Sequence, residues 1–279
     1  MSRYRLLALD IDGTLVNSDH DLTEPTRQAV LRAKQAGLEV VLATGRRYSR
    51  TLPLVEPLGL HVPVITASGA LVKDPVDHRT LFMAEFRPGV LEQVLSIVDR
   101  EGYDPILYGD TFAAGFDYYL ARLDARGVEL AEFLGMNSGC GREWPSLVAS
   151  PPAGIFAGFA MGGRSEMREL AAALERQLGE HLSVHVLRSP RYRGFMCEIA
   201  PVGITKWHSV LRLADAWGIS PTEICAVGDD VNDIPMIRGA GLGVAMGNAL
   251  DEVKAAADRI APCNNSDGLV EVVGWLVDD

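Results

Sequence analysis

Residues 6–19 read LLALDIDGTLVNSD, in which an apolar run stops at two aspartates two positions apart. We predict a strand over residues 4–11, because an unbroken apolar run is typical of a strand buried on both faces of a parallel sheet. Asp10 and Asp12 then lie at the tip of the strand, and Gly13 lets the backbone turn away after them. Ligands of open parallel sheets bind beyond the carboxyl ends of the strands, so this stretch predicts both a fold and a site.

Strands and helices alternate in the first and last parts of the chain. The segment TEPTRQAVLRAKQAG (23–37) predicts a helix between Thr23 and Gly37, and LEVVLATG (38–45) predicts the next buried strand. The alternation resumes late in the chain, where EICAVGDD (223–230) is again a predicted strand. This order favours an α/β fold with a doubly wound parallel sheet covered by helices on both faces.

The middle of the chain breaks this alternation. We predict FAAG (112–115) as a short strand and YYLARLDARG (118–127) as a helix. The core domain is therefore expected over residues 1–82 and 194–279, with an inserted α/β cap domain over residues 83–193. We expect the two core segments to share one sheet and the insert to close over a substrate as a lid.

Composition and charge exclude several classes of partner. The 279 residues are 48% hydrophobic and carry a formal net charge of -11, which argues against a nucleic-acid partner held by a broad basic surface. No apolar stretch reaches the roughly 18 residues of a membrane span, so no membrane partner is expected. The four cysteines lie far apart, without the spacing of a zinc or redox motif. We therefore expect a reduced, cytoplasmic protein.

Four groups of polar residues fall beside the predicted carboxyl edge of the sheet. They are Asp10 with Asp12, Thr44 in LATGR, Lys206 at the start of the helix after the insert, and Asp229 with Asp233 in VGDDVND. A parallel sheet brings its carboxyl ends together however far apart they lie in sequence, so we expect these side chains to share one site.

Such a cluster is suited to phosphoryl chemistry. A strand-end carboxylate such as Asp10 can act as a nucleophile if a cation keeps it ionised and attracts an anionic substrate. Mg²⁺ prefers carboxylate and phosphate oxygens, which makes Asp10 and Asp229 candidate ligands. Asp12 lies close enough to protonate a leaving group, while Thr44 and Lys206 can bind phosphoryl oxygens.

Each residue also has a simpler interpretation. Acids often end strands or cap helices, Thr44 can cap the helix predicted near Arg46, and an isolated Lys206 would be a solvated helix residue. Arg46 is either a surface charge or a group that reaches an anionic substrate, and the sequence leaves both open. The histidines have no metal-ligand spacing, and we interpret them as structural or exposed: His20, His61, His78, His181, His185 and His208.

Taken in order, DIDGT, LATGR, GITK and GDDVND resemble the motifs of the haloacid dehalogenase superfamily of phosphatases. The continuous GDDVNDIPMIRGAGLGVAMGNALDEVKAAADRI and the later NNSDGLVEVV are similar to its Cof-type sugar-phosphatase branch, which has a large α/β cap. The resemblance covers the predicted core and is weak over the insert.

The resemblance implies a role for each motif. Asp10 would form a transient aspartyl phosphate, and Asp12 would act as general acid and base and lend its backbone carbonyl to Mg²⁺. It assigns phosphate binding to Thr44, Gly45 and Lys206, the metal to Asp10, Asp12 and Asp229, and support of the metal ligands or the lysine to Asn232 and Asp233.

One position departs from the pattern of the branch. Relatives commonly carry Asn-Gly-Ala at the end of the third strand, whereas this chain has ASGA, with Ser68 in place of the amide. A serine hydroxyl donates a hydrogen bond over a shorter reach, so Ser68 is a candidate phosphate binder only.

The sequence thus predicts a Mg²⁺-dependent phosphomonoester hydrolase that acts on a small phosphorylated metabolite, with a sugar phosphate as the favoured class. Two alternatives stay open. A sugar phosphomutase would use the same phosphoenzyme, and a non-catalytic module would only bind a phosphosugar.

Overall fold

The computed structural model describes residues 3–124, 127–188 and 191–278. The chain divides into two compact units. The core unit comprises Met1–Phe82 and Thr205–Asp279, and the insert unit comprises Met83–Ile204. None of the helices in these described ranges is long and apolar enough to cross a membrane.

The core unit is built on five parallel strands in the order β14-β13-β12-β1-β2. These strands are β1 (Leu6–Leu9), β2 (Glu39–Leu42), β12 (Ile224–Gly228), β13 (Leu242–Ala245) and β14 (Arg259–Ile260). The central strand β1 pairs with β2 on one side and with β12 on the other, and all four of its residues are buried. The parallel sheet predicted from the alternation is therefore confirmed.

Helices cover both faces of this sheet. The helices of the core unit are α1 (Glu24–Gln35), α2 (Tyr48–Val55), α6 (Lys206–Ala216), α7 (Ile234–Gly239), α8 (Asp251–Lys254) and α9 (Gly268–Val277). Thr23 caps α1 as predicted, since its side chain accepts a hydrogen bond from the N–H of Thr26. Val210 and Met236, from α6 and α7, pack with Leu6 of β1 in one apolar cluster.

A small sheet extends the core unit beyond β2. It contains β3 (Val64–Thr66), β4 (Leu71–Lys73) and β5 (Thr80–Met83), and an isolated parallel bridge joins Ala43 to Ile65. The end of β3 therefore lies beside the end of β2, which places residues 67–69 next to Thr44.

The insert unit has a six-stranded sheet of different character. Its order is β10-β11-β9-β6-β7-β8, antiparallel except between β7 and β8. The strands are β6 (Ile106–Gly109), β7 (Tyr118–Leu120), β8 (Gly141–Glu143), β9 (Ile155–Gly162), β10 (Leu182–Arg188) and β11 (Phe195–Pro201), and the helices are α3 (Val90–Arg100), α4 (Val128–Met136) and α5 (Arg164–Leu178). Side chains of α3 and α5 pack with Ala160 and Cys197 of the sheet.

Three details of the insert differ from the sequence predictions. The predicted end of the insert at residue 193 precedes the division after Ile204, because β11 pairs with both β9 and β10 in the insert sheet. FAAG forms a 3₁₀ helix over Phe112–Ala114 rather than a strand. The start of YYLARLDARG forms β7 rather than a helix, while residues 125–126 of that segment lie outside the described residues.

Candidate active site

Asp10 stands at the carboxyl tip of the central strand. Its N–H donates to the carbonyl of Val227, 3.0 Å away, so the backbone pairing of β1 with β12 continues to this residue. Asp10 is 4% exposed. Its Oδ1 accepts a hydrogen bond from Lys206 Nζ at 2.7 Å.

Lys206 is the first residue of α6, and it is 2% exposed. Thr205 caps this helix by accepting the N–H of His208 at 3.1 Å, which sets the point where the lysine leaves the backbone. The ammonium donates to Asp10 and also to Asp233 Oδ1, each at 2.7 Å. Burial by itself would lower the pKa of Lys206, but the two carboxylates outweigh it and raise that pKa.

Asp233 organises the loop after β12. It is fully buried, and its Oδ2 accepts the N–H groups of Asp229 at 2.9 Å and Asp230 at 3.1 Å. The other oxygen binds Lys206, so both oxygens of Asp233 have donors from the protein. Asp233 therefore fixes the loop that carries Asp229 and, at the same time, the position of the lysine.

Three carboxylates lie close enough to share a metal ion. One oxygen each from Asp10, Asp229 and Asp233 lies within 4.8 Å of the others. Burial and then repulsion between the acids raise the pKa of Asp229 to about 9, and burial above all raises the pKa of Asp10 to about 7. An oxygen-rich cluster of this kind fits a divalent cation, which would neutralise the repulsion. Asp10 and Asp229 fit as ligands better than Asp233, whose oxygens already bind protein donors.

Gly13 allows the loop after β1 to approach Asp229. Its φ is +82°, and a Cβ built there would lie 2.1 Å from Asp229 Oδ2. Two neighbours hold the same carboxylate: Thr14 Oγ1 donates to its Oδ1 at 3.2 Å, and Asn248 Nδ2 lies 3.4 Å from its Oδ2. Asn248 also donates to the carbonyl of Gly13 at 2.8 Å. The first loop of the chain is thus joined to the loop of Asp229.

The side chain of Asp12 has different partners from those of the three clustered acids. Arg46 donates to both of its oxygens, from Nε at 2.7 Å and from the terminal nitrogen Nη2 at 2.6 Å. His20 Nδ1 lies 3.2 Å from Asp12 Oδ1. Arg46 thus binds Asp12 and is not a solvated surface charge, while its contact with an anionic substrate stays a prediction.

The remaining predicted residues, Thr44, Gly45, Ser68 and Asn232, lie at or beside the loop after β2. Thr44 is 1% exposed, and its Oγ1 accepts the N–H of Arg46 at 3.1 Å, so the hydroxyl closes a turn and does not cap α2. Gly45 lies inside that turn. Ser68 donates its N–H to the carbonyl of Thr44 at 3.0 Å, and Asn232 Nδ2 lies 3.4 Å from Ser68 Oγ.

Three residues of this site were missed by the sequence interpretation. Thr14 is the last letter of DIDGT and Asn248 stands in the quoted AMGNA, so both lay inside recognised motifs. His20 was interpreted as structural or exposed, and no local pattern distinguishes it from the other histidines. Only the fold brings it to Asp12.

Comparison with known proteins agrees with this geometry. The model of the haloacid dehalogenase-like hydrolase family matches residues 7–273. The phosphatase YwpJ of Bacillus subtilis is 29% identical, over 98% of this chain and 100% of its own length. The 5-amino-6-(5-phospho-D-ribitylamino)uracil phosphatase YwtE of Bacillus subtilis is 26% identical, over 98% of both chains. A crystal structure of a haloacid dehalogenase-like hydrolase from Bacteroides thetaiotaomicron superposes with a TM-score of 0.79 at 25% identity, covering 98% of this chain and 99% of the other.

The chain therefore belongs to the haloacid dehalogenase-like hydrolase family, and it is a phosphatase of that family. The resemblance to the Cof-type branch is confirmed.

Proposed function

We propose that this member of the haloacid dehalogenase-like hydrolase family is a Mg²⁺-dependent phosphomonoester hydrolase that acts on a small phosphorylated metabolite through an aspartyl-phosphate intermediate. One observation carries the proposal. A buried ammonium, Lys206, bridges Asp10 and Asp233 at the carboxyl edge of a parallel sheet, with Asp229 beside them. A site that only binds an anion does not need three carboxylates in the same place. A carboxylate nucleophile that acts beside bound cations does need them.

In the first step, an oxygen of Asp10 attacks the phosphorus of the substrate. The bond from phosphorus to the ester oxygen breaks, and its electron pair goes to that oxygen, which takes a proton from the carboxyl group of Asp12. In the second step, water attacks the aspartyl phosphate and gives a proton back to Asp12. The bond between phosphorus and the Asp10 oxygen then breaks, which restores Asp10 and releases inorganic phosphate.

The surrounding residues bind the charge that the phosphoryl group carries. Lys206 stabilises the Asp10 carboxylate and lies beside the reacting oxygens, and the Thr44 hydroxyl with Gly45 and Ser68 offers hydrogen-bonding groups from the neighbouring loop. Bound Mg²⁺ would supply positive charge that offsets the negative charge of the acids and of the phosphoryl group. Asp10, Asp229 and the backbone carbonyl of Asp12 would hold it, with Asp233 and Asn232 supporting them.

A sugar phosphate or a phosphorylated sugar alcohol is the substrate class that we favour. The support is chemical: YwtE, which is similar over 98% of both chains, is named for a substrate with a phosphoribityl group. Specificity would reside in residues of the insert, whose sequence carries none of the motifs of the core.

The test is phosphate release from a panel of sugar phosphates, nucleotides and phosphorylated cofactors, with Mg²⁺ and with a chelator. Wild type, Asp10→Asn and the charge-matched control Asp215→Asn, on the exposed side of α6, are compared. We expect release by wild type and by the control only, and none in the chelator.

Three other results would reject parts of the proposal. Turnover by a folded Asp10→Asn protein removes Asp10 as the nucleophile, and undiminished turnover in the chelator removes the metal. An isomerised sugar phosphate without free phosphate identifies a mutase, and binding without either product identifies a phosphosugar-binding module.

A further inference from the structure

We propose that His20 is a positioning residue for Asp12, and that it holds this side chain where it can protonate the leaving group. The inference rests on the proposed function, since it concerns the acid of that reaction. It is carried by a strained backbone, a rigid turn and a contact that all direct one imidazole ring to one carboxylate.

The backbone of His20 is in the left-handed region, with φ of +65°. A residue with a Cβ adopts this conformation at a cost, and such strain persists where the surrounding structure imposes it, often at functional sites. Two of the other non-glycine residues with positive φ, Ala67 and Ser68, lie in the loop beside Thr44. Three of the five non-glycine residues with positive φ in the described chain thus lie at or beside the candidate site.

A closed turn imposes the conformation of His20. Asn17 Oδ1 accepts the N–H groups of Asp19 at 3.0 Å and Asp21 at 2.9 Å, and the Asn17 carbonyl accepts the N–H of His20 at 2.9 Å. The turn is also fixed from outside, because Asn265 Oδ1 accepts the N–H of Ser18 at 2.9 Å. The ring is therefore presented by a rigid support rather than by a loose loop.

The ring makes its hydrogen bond to Asp12. Its Nδ1 lies 3.2 Å from Asp12 Oδ1, and the two side chains are 23% and 21% exposed. Since a carboxylate oxygen only accepts, Nδ1 carries the hydrogen in this contact. Arg46 binds the same carboxylate from the opposite loop, after β2.

These two partners differ in what they can do during turnover. Arg46 is a long, flexible cation that an anionic substrate attracts, so its bond to Asp12 competes with the substrate. His20 is attached through a short side chain to a hydrogen-bonded turn. It keeps Asp12 oriented when Arg46 turns to the substrate, and a correctly oriented acid is worth most when the leaving group needs its proton.

The test compares two substrates that differ in their need for an acid. One is the sugar phosphate that the panel ranks highest, whose alkoxide leaves poorly without a proton, and the other is p-nitrophenyl phosphate, whose leaving group needs none. The variants are His20→Gly and His20→Asn, because glycine and asparagine both accept a positive φ. Of the two, only asparagine keeps a side-chain hydrogen-bond donor. His78→Gly is the matched control, because His78 also has positive φ (+61°) but contacts Tyr48.

We expect His20→Gly to lower kcat about tenfold or more on the sugar phosphate and much less on p-nitrophenyl phosphate, with KM nearly unchanged. Asp12→Asn should also lose more kcat on the sugar phosphate than on p-nitrophenyl phosphate, and its loss should be larger than that of His20→Gly. His20→Asn should keep part of the kcat that His20→Gly loses on the sugar phosphate. His78→Gly should leave the ratio of the two rates at the wild-type value. Because glycine relieves the strain at residue 20, the thermal stability of His20→Gly should not fall in step with its activity.

The outcomes separate the two proposals. Selectivity in Asp12→Asn but not in His20→Gly, or equal losses of His20→Gly on both substrates, overturns the role of His20 and leaves the proposed function standing. If Asp12→Asn loses as much kcat on p-nitrophenyl phosphate as on the sugar phosphate, Asp12 is not the acid, and the role of His20 is rejected as well. Wild type that releases no more phosphate than Asp10→Asn from either substrate overturns the proposed function itself.

Discussion

The two units differ most in the charges that they bury. Among the described residues, the core unit holds five buried charged side chains: Asp10, Arg47, Lys73, Lys206 and Asp233. The insert unit holds none in the described part of the chain, and its buried polar residues there are Thr111 and Asn137. Among the described residues, the buried side chains of the insert are therefore uncharged, whereas the edge of the core sheet carries buried charges that folding by itself does not require.

The buried charges, and with them the candidate catalytic residues, therefore lie in the core unit. Buried carboxylates beside a buried ammonium are costly to desolvate, and they stay in place only while each has its partner. A substitution in the core edge should therefore have effects that depend on pH and metal, and a substitution in the insert should not. Four experiments test that contrast, from the largest expected effect to the smallest.

The largest effect is expected for Lys206→Met. Removal of the ammonium leaves Asp10 and Asp233 buried without a counter-ion, which should lower the free energy of unfolding by about 3–5 kcal/mol and abolish turnover. Denaturant unfolding at pH 8 in a chelator measures the loss. Adding Asp10→Asn should recover part of the stability but none of the activity. A Lys206→Met protein as stable as wild type would contradict the interpretation of a charge-balanced cluster.

A cavity in the insert gives the matching apolar case. Leu174 in α5 is fully buried, so Leu174→Ala should cost about 2–5 kcal/mol of unfolding free energy. The same denaturant series at pH 6 and pH 9, with and without Mg²⁺, should give the same loss each time, because no titrating group is involved. A loss that changes with pH would break the contrast between the units.

The third experiment compares the same substitution, glycine to alanine, at a position with positive φ in each unit. Gly13→Ala places a Cβ 2.1 Å from Asp229 Oδ2, whereas Gly102 in the insert, with φ of +86°, has no atom within 4 Å of that position. Both changes strain the backbone by about 1–2 kcal/mol, but only the first displaces a candidate metal ligand. We expect the Mg²⁺ affinity, measured by calorimetry or by the Mg²⁺-induced rise in Tm, to fall about tenfold or more for Gly13→Ala. Gly102→Ala should bind as wild type does, and equal affinities in the two variants would reject the site.

The smallest effect is a pH dependence of the metal-free protein. The pKa values of about 7 for Asp10 and about 9 for Asp229 lie above the value of about 4 in an unfolded chain. The folded state therefore binds more protons between about pH 4 and pH 9, and its stability should decrease as pH rises through that window. We expect Tm in a chelator to fall from pH 5 to pH 9, less so in Asp229→Asn or with Mg²⁺ present. A wild-type slope that Asp229→Asn leaves unchanged would contradict this assignment.

The success of the sequence predictions follows the same division between the units. The apolar run before Asp10 forms the buried strand β1, somewhat shorter than predicted, and Thr23 caps the first helix. In the insert, Tyr118–Leu120 forms a strand although we predict a helix over residues 118–127, because it pairs with β6 on one side and β8 on the other. A short segment takes its conformation from partners far along the chain, and local propensity does not carry that information.

For the site, the sequence determined which residues meet. Asp10, Thr44, Lys206 and Asp229 are fixed at the same edge once the sheet is parallel, because strand order and direction alone gather the carboxyl ends. It likewise determined the family, through motifs whose order is preserved along the chain.

Only the tertiary structure decided how those residues are oriented. The oxygens of Asp233 accept hydrogen bonds from Lys206 and from two backbone N–H groups, whereas Asp12 contacts Arg46 and His20. These contacts depend on loops from separate parts of the chain. Sequence periodicity gives the face on which a side chain lies within one element. The direction of a polar group at the end of an element is set by the donors that other elements bring to it, since a buried carboxylate must turn to whichever donors are there.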